Sequence, residues 1–187
     1  EEQVQLREVV RPFRGVQDVA ARVRDYNVAI PFAEPGAVAT QNDFSETTTR
    51  SRAAGFGVFV SETYLLTHAL ALDGRSSTQV STADGQMFEA QVAAYERSSG
   101  LLLLETKASG RQPPLLASEL PNAGTLAVAV GQWEGRDIAV PVFITSVEDG
   151  RYKLGAMSGS VMPGMPLYNI DGELLALAAG DGREGHA

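Results

Sequence analysis

From residue 56 onward the chain is a succession of short apolar runs broken by glycine, proline and Asp-Gly pairs, and this punctuation leaves room for little but strands. "FGVFVSE", "YLLTHALAL", "GLLLLET", "TLAVAVGQWE", "IAVPVFITSVED" and "RYKLGA" follow one another with short gaps. Each is near the usual strand length and too short for a stable isolated helix. "TQVSTADGQMFEAQVAAYE" alternates polar and apolar residues around Asp84-Gly85, and "MPLYNIDGELLALAAG" turns at "NIDGE". An Asp-Gly pair between alternating runs marks a hairpin, because its backbone readily takes the positive φ a tight turn needs. "GLLLLET" is uniformly apolar, which predicts a strand buried on both faces. Nineteen glycines and nine prolines fit many turns and short strands.

One amphipathic helix precedes this series. In "GVQDVAARVRDY", Val16, Val19, Ala20 and Val23 recur at i, i+3, i+4 and i+7, with Arg and Asp on the other face. "YNVAIPF" reads as a strand ended by Pro31 or Pro35. The aperiodic, polar stretch from Ala33 to Gly55 reads as a mobile loop. "KASGRQPPLLASELPNAG" carries three prolines and reads as a linker. The organisation expected is an N-terminal extension and helix over 1–24, a six-stranded β unit over 25–107, a Pro-rich linker over 108–118, a second six-stranded unit over 119–182 and a tail over 183–187.

Composition narrows the function classes. The formal charge is −8 without a basic stripe, so nucleic acid is excluded as a partner. The absence of cysteine removes disulfides, thiolate catalysis and Cys-based metal sites. No apolar run reaches the ~20 residues of a membrane-spanning helix. "EEQVQLREVVRPFRG" has neither the cationic start nor the apolar block of a signal peptide, and the chain reads as one trimmed from something larger.

The order of these pieces resembles the HtrA (Deg-type) bacterial trypsin-like serine proteases. "VQDVAARVRDYNVAI" is similar to that family's entry helix and first strand, and "GFGVFVSETYLLTHALALDG" to its glycine-strand segment ending in "LT-x-x-H-V-V-x-G". "TQVSTADGQMFEAQVAAYERSSGLLLLET" resembles the hairpin leading into its "D-[IL]-A-L-[IL]" strand, and "PLYNIDGELLALAAG" the stretch after "G-N-S-G-G". The resemblance covers roughly residues 16–180 and implies an all-β fold: a trypsin-like double six-stranded β-barrel with a short N-terminal helix. It also implies an extracytoplasmic bacterial setting such as the periplasm.

The serine mechanism needs a nucleophile, an imidazole base, an orienting carboxylate and oxyanion donors. Registered on Thr67 and Gly74, the resemblance puts the base at Leu70, with His68 two residues early. It puts the carboxylate at Gly100 and the nucleophile at Pro163, which has neither hydroxyl nor backbone N–H. Val161 stands for the family's first glycine of the oxyanion loop. None of the three triad positions therefore carries a catalytic side chain, and the expected function is that of a pseudoprotease binding a protein or peptide partner. Two other readings stand beside it. One is an altered hydrolase using Ser158 or Ser160 with His68; the other is a purely structural assembly subunit. Neighbouring Glu96 and Glu105 read as solvated strand ends and Asp73 as turn chemistry. His68 and His186 lack the carboxylates of a usual zinc site, so neither metal nor other cofactor is expected. Phe13 alone does not establish an oligomer contact.

Overall fold

The computed structural model describes residues 15–31, 53–107, 111–133, 136–155 and 161–179. Helix α1 spans 15–23 and tightens into a 3₁₀ turn, Arg24–Tyr26. Its four periodic residues are the buried ones: Val16, Val19, Ala20 and Val23. Strand β1 (Asn27–Pro31) follows, then β2 (Ala53–Phe59), β3 (Tyr64–His68) and the four-residue helix α2 (Ala69–Leu72). β4 (Ser77–Thr82), β5 (Met87–Glu96) and β6 (Leu101–Thr106) complete the first half. The second half contains β7 (Leu126–Trp133), β8 (Arg136–Glu148), β9 (Arg151–Leu154), β10 (Pro166–Tyr168) and β11 (Leu174–Leu177).

The first six strands close into a barrel in the order β1-β2-β3-β6-β5-β4, all neighbours antiparallel. Its interior is filled by Val28, Ile30, Phe59, Leu65, Leu72, Val80, Ala90 and Leu104. The second half forms a five-stranded sheet, β11-β10-β7-β8-β9. The six strands expected for the second half are thus five among the described residues, an open half-barrel. A single parallel bridge, Leu116 to Leu174, lays the linker beside β11.

Two local expectations are adjusted. "YLLTHALAL" is not one strand: after His68 it turns into α2, where Ala and Leu, strong helix formers, dominate. β6 alternates, with Leu102 and Leu104 buried and Leu101 and Leu103 half-buried, instead of being buried on both faces. The strand enclosed on both sides is β2. Phe59 points into the barrel, whereas Phe56 packs with Met165 and Leu167 of the second sheet, and Val58 with α1 and Tyr168. Both expected hairpins form, with Gly85 at φ +80° and Gly172 at φ +84°. The Ala33–Gly55 loop falls almost wholly outside the described residues.

Candidate functional site

Helix α2 and the segment before β10, which carry two of the three aligned positions, meet over the start of β2, while the β5–β6 turn with the third, Gly100, lies against His68 and Ala69. Thr67, buried at the end of β3, donates from Oγ1 to the carbonyl of Phe56 at 2.5 Å. The Phe56 amide in turn donates to the Pro163 carbonyl at 2.9 Å. Gly55 sits between two neighbours so close that an added Cβ would lie 2.5 Å from Ala71 Cβ and 2.5 Å from the Pro163 oxygen. Only glycine lets α2 and the Pro163 segment meet over β2 in this way.

Leu70, the residue that the resemblance aligns with the base, stands on α2 with its side chain exposed. His68 precedes α2 as its N-cap in extended conformation, and its Nδ1 accepts from the Leu70 amide at 3.3 Å. The imidazole lies over Gly100: a Cβ there would fall 2.5 Å from Nε2. Gly100 itself is at φ +75°, and its carbonyl accepts from the Ala69 amide at 2.8 Å. The histidine ring therefore fills the space a side chain at position 100 would need, and it serves a backbone donor of α2. Burial lowers its pKa below the ordinary histidine value, while a backbone hydrogen bond at Ser99 acts in the opposite direction. The Nδ1 lone pair is thus directed at the Leu70 amide, and Nε2 lies against Gly100.

The turn carrying Gly100 is held by Glu96. Its carboxylate accepts from the amides of Ser98 and Ser99 at 3.1 and 2.6 Å and from both serine hydroxyls. These bonds, the Ser99 hydroxyl foremost, depress the Glu96 pKa to about 2. Glu96 is solvated, as expected of a strand end, but it also organises the turn. Asp73 ends α2 at φ 49°, a left-handed cap consistent with its reading as turn chemistry. Arg75, not singled out from the sequence, closes the C-terminal end of α2 by donating to the Leu72 carbonyl at 2.8 Å and to Pro31 of β1 at 3.2 Å.

Around Pro163, the residue that the resemblance aligns with the nucleophile, Met162-Pro163-Gly164-Met165 forms a turn. The Met165 amide donates to the Met162 carbonyl at 3.1 Å, and Gly164 is at φ +74°. Proline at the second position and a positive φ at the third define a type II β-turn. The Pro-Gly pair was a legible signal for it. The Gly164 amide donates to the Ala178 carbonyl at 2.7 Å. Two amides of the turn are thus consumed internally and Pro163 has none. Ser158, Ser160, His186 and Phe13 lie outside the described residues. Among the described residues, no group of three or more His, Asp or Glu side chains could hold a metal ion.

A closed six-stranded antiparallel barrel joined across a buried seam to a second antiparallel sheet defines the trypsin-like serine-protease fold, and the solved structures bear this out. The Rv3671c protease in its inactive form superposes with a TM-score of 0.65 over 91% of this chain and 86% of its own, at 23% identity. In sequence the chain is similar to HtrA-type serine proteases. It is 27% identical to serine protease HTRA1 of Xenopus laevis over 141 residues, 67% of this chain and 31% of that protein. It is also 27% identical to serine endoprotease DegS of Escherichia coli over 113 residues, 57% of this chain and 32% of that protein. The match thus spans about a third of the length of these curated relatives. No protein-family model matches the chain.

Proposed function

We propose that this chain is a catalytically inactive, trypsin-like pseudoprotease that serves as a protein- or peptide-binding or scaffold module, in an extracytoplasmic bacterial setting such as the periplasm. The observation that carries the reading is Pro163 at the centre of a type II turn whose carbonyl is bonded to the Phe56 amide. At the position aligned with the nucleophile there is no hydroxyl, no N–H and no slack. Losing one oxyanion donor alone costs about 10²–10³ in rate. Leu70 in place of the base, Gly100 in place of the carboxylate and the use of His68 Nδ1 as a cap for Leu70 support the same conclusion. The binding role is supported by an open sheet edge. Among the described residues β9 and β11 are the outer strands of the second sheet, and the edge of β11 is already paired with the linker at Leu174, which leaves β9 as the edge for a peptide. Such edges take up extended peptide through main-chain hydrogen bonds.

A fluorophosphonate probe tests the inactive part: the protein stays unlabelled and casein stays intact. Stoichiometric labelling of Ser158 or Ser160 would overturn it in favour of an altered hydrolase. Titration of a fluorescent unfolded casein fragment tests the binding part, with saturable anisotropy and no cleavage expected. No labelling together with no binding would leave the purely structural assembly subunit.

A further inference from the structure

His68 is the one buried titratable side chain in the described residues that caps a helix, and nothing in the proposed binding role uses it. Its imidazole is held from two sides. On one side Nδ1 receives the Leu70 N–H at 3.3 Å; on the other the ring is seated against the bare Cα of Gly100. The helix it caps is only four residues long, so a single lost cap frees a large share of it. The far end of α2 is secured independently by Arg75. The middle is secured by the close approach of Ala71 to Gly55. The first turn has only two visible anchors: the Nδ1 cap at Leu70 and the Ala69 amide on the Gly100 carbonyl.

We propose that His68 is a proton-operated latch: the neutral ring, seated on Gly100, holds the first turn of α2 by its Nδ1, and a proton added at Nδ1 releases that turn. The change is an acceptor becoming a donor. A protonated ring carries N–H on both nitrogens, so Nδ1–H would face the Leu70 N–H, and two donors cannot share the contact. The freed turn carries Leu70, whose side chain is 55% exposed, so the event alters a surface that a partner can reach.

The charged groups on the elements packed around His68 are accounted for. On α2 there is Asp73, in its left-handed cap. On the β5–β6 turn there are Arg97 and Glu96, the latter bonded to Ser98 and Ser99. From β9, Arg151 donates to the Ser98 carbonyl at 2.6 Å. On β3 itself there is Tyr64, and Glu105 on β6 pairs with it in register. The causes acting on His68 are burial first and the Ser99 backbone second, with no ion pair among them. The sign follows. The released state binds the proton more tightly, so the latch is fully closed above the ordinary histidine pKa of about 6.5. It opens as pH falls below that, until the lower pKa of the seated ring is passed.

The experiment is amide hydrogen exchange by NMR on the full chain carrying His186→Gln, so that one imidazole titrates. After correction for intrinsic chemistry, the ratio of Leu70 to Leu104 exchange is followed from about pH 7.5 to about pH 5. Leu104 reports the barrel interior. The ratio should rise about tenfold per pH unit inside the window between the two pKa values. His68→Asn keeps a side-chain acceptor at the cap without a titrating proton, and its profile should be flat. Gly100→Ala unseats the ring, and Leu70 should exchange freely at both ends of the range. A flat wild-type ratio while the His68 ring resonances titrate would overturn the latch, and so would an unchanged pH response in His68→Asn. Should His68→Asn fail to fold, the wild-type ratio decides alone.

Discussion

A buried side-chain hydrogen bond ties the two halves of the molecule, and its removal has a calculable effect. Tyr168 of β10 is completely buried and donates its hydroxyl to Asn27 Oδ1 of β1 at 2.6 Å. Burial raises the phenol pKa far above its ordinary value, so the donor is present at every working pH. Asn27 is 1% exposed, and its Nδ2 already lacks a protein partner. Tyr168→Phe keeps the ring and its packing against Val58, Val128 and α1 but leaves the Asn27 carboxamide with neither end satisfied. A buried acceptor stripped of its donor costs about 1–3 kcal/mol. At about 2–4 °C per kcal/mol for a chain of this size, the melting temperature should fall by roughly 2–12 °C. Replacing both partners removes the penalty's origin, so Tyr168→Phe with Asn27→Val should recover most of the loss. Such a double replacement by apolar groups is often close to neutral. Differential scanning calorimetry on the four proteins of this cycle reads the coupling directly. A Tyr168→Phe protein melting within a degree of wild type, or a double variant no better than the sum of the singles, would refute the reasoning.

Other outcomes can be checked separately. Pro163→Ser should cost only about 0.4–1 kcal/mol, because a proline matched to its turn acts by restricting the unfolded chain; urea titration measures this, and casein should remain uncut. The triple replacement Leu70→His, Gly100→Asp, Pro163→Ser should also stay inactive, because a side chain at position 100 collides with the His68 ring at 2.5 Å and must adopt φ +75°. Gly164→Ala should be more damaging than Pro163→Ser: its φ of +74° alone makes an L-residue costly by about 1–2 kcal/mol, and its Cβ would strike the Phe56 carbonyl. Glu96, with its pKa near 2, favours the folded turn above the ordinary carboxylate range; that contribution disappears as pH falls through about 2, and Glu96→Gln should flatten the acid limb of Ser98 and Ser99 amide exchange.

Much of the fold was legible because its signals are local. The 3.6-residue spacing of Val16, Val19, Ala20 and Val23 marked α1 and its buried face, and the Asp-Gly pairs marked both hairpins. What escaped the reading depends on contacts distant in sequence. Nothing in "GFGVFVSE" reveals that Phe56 and Val58 face a sheet formed more than sixty residues later. "GLLLLET" carries the stronger apolar run yet is covered less completely. At the site, the motif spacing singled out Leu70, Gly100 and Pro163; the segments of Leu70 and Pro163 meet over β2, and Gly100 lies against His68. The role of His68 was not readable. A capping acceptor is recognised by what it touches, and its seat exists only because residue 100, thirty-two positions away, has no side chain. The Pro-Gly pair, by contrast, is a local turn signal and was readable from the sequence.

The double enclosure of β2 has a consequence for how the molecule comes into being. Once β6 has followed β2 out of the ribosome the first barrel can close, but the outward faces of Phe56 and Val58 and the apolar stripe of α1 still lack their cover. That cover includes Tyr168, about 110 residues behind Phe59. At translation speeds of ~5–20 residues per second the interval is roughly 5–20 s. For that time the nascent chain presents an uncovered apolar seam, and the first half waits on the second for its outer wall. The seam that makes the finished protein one cooperative body is therefore also its most vulnerable surface during synthesis.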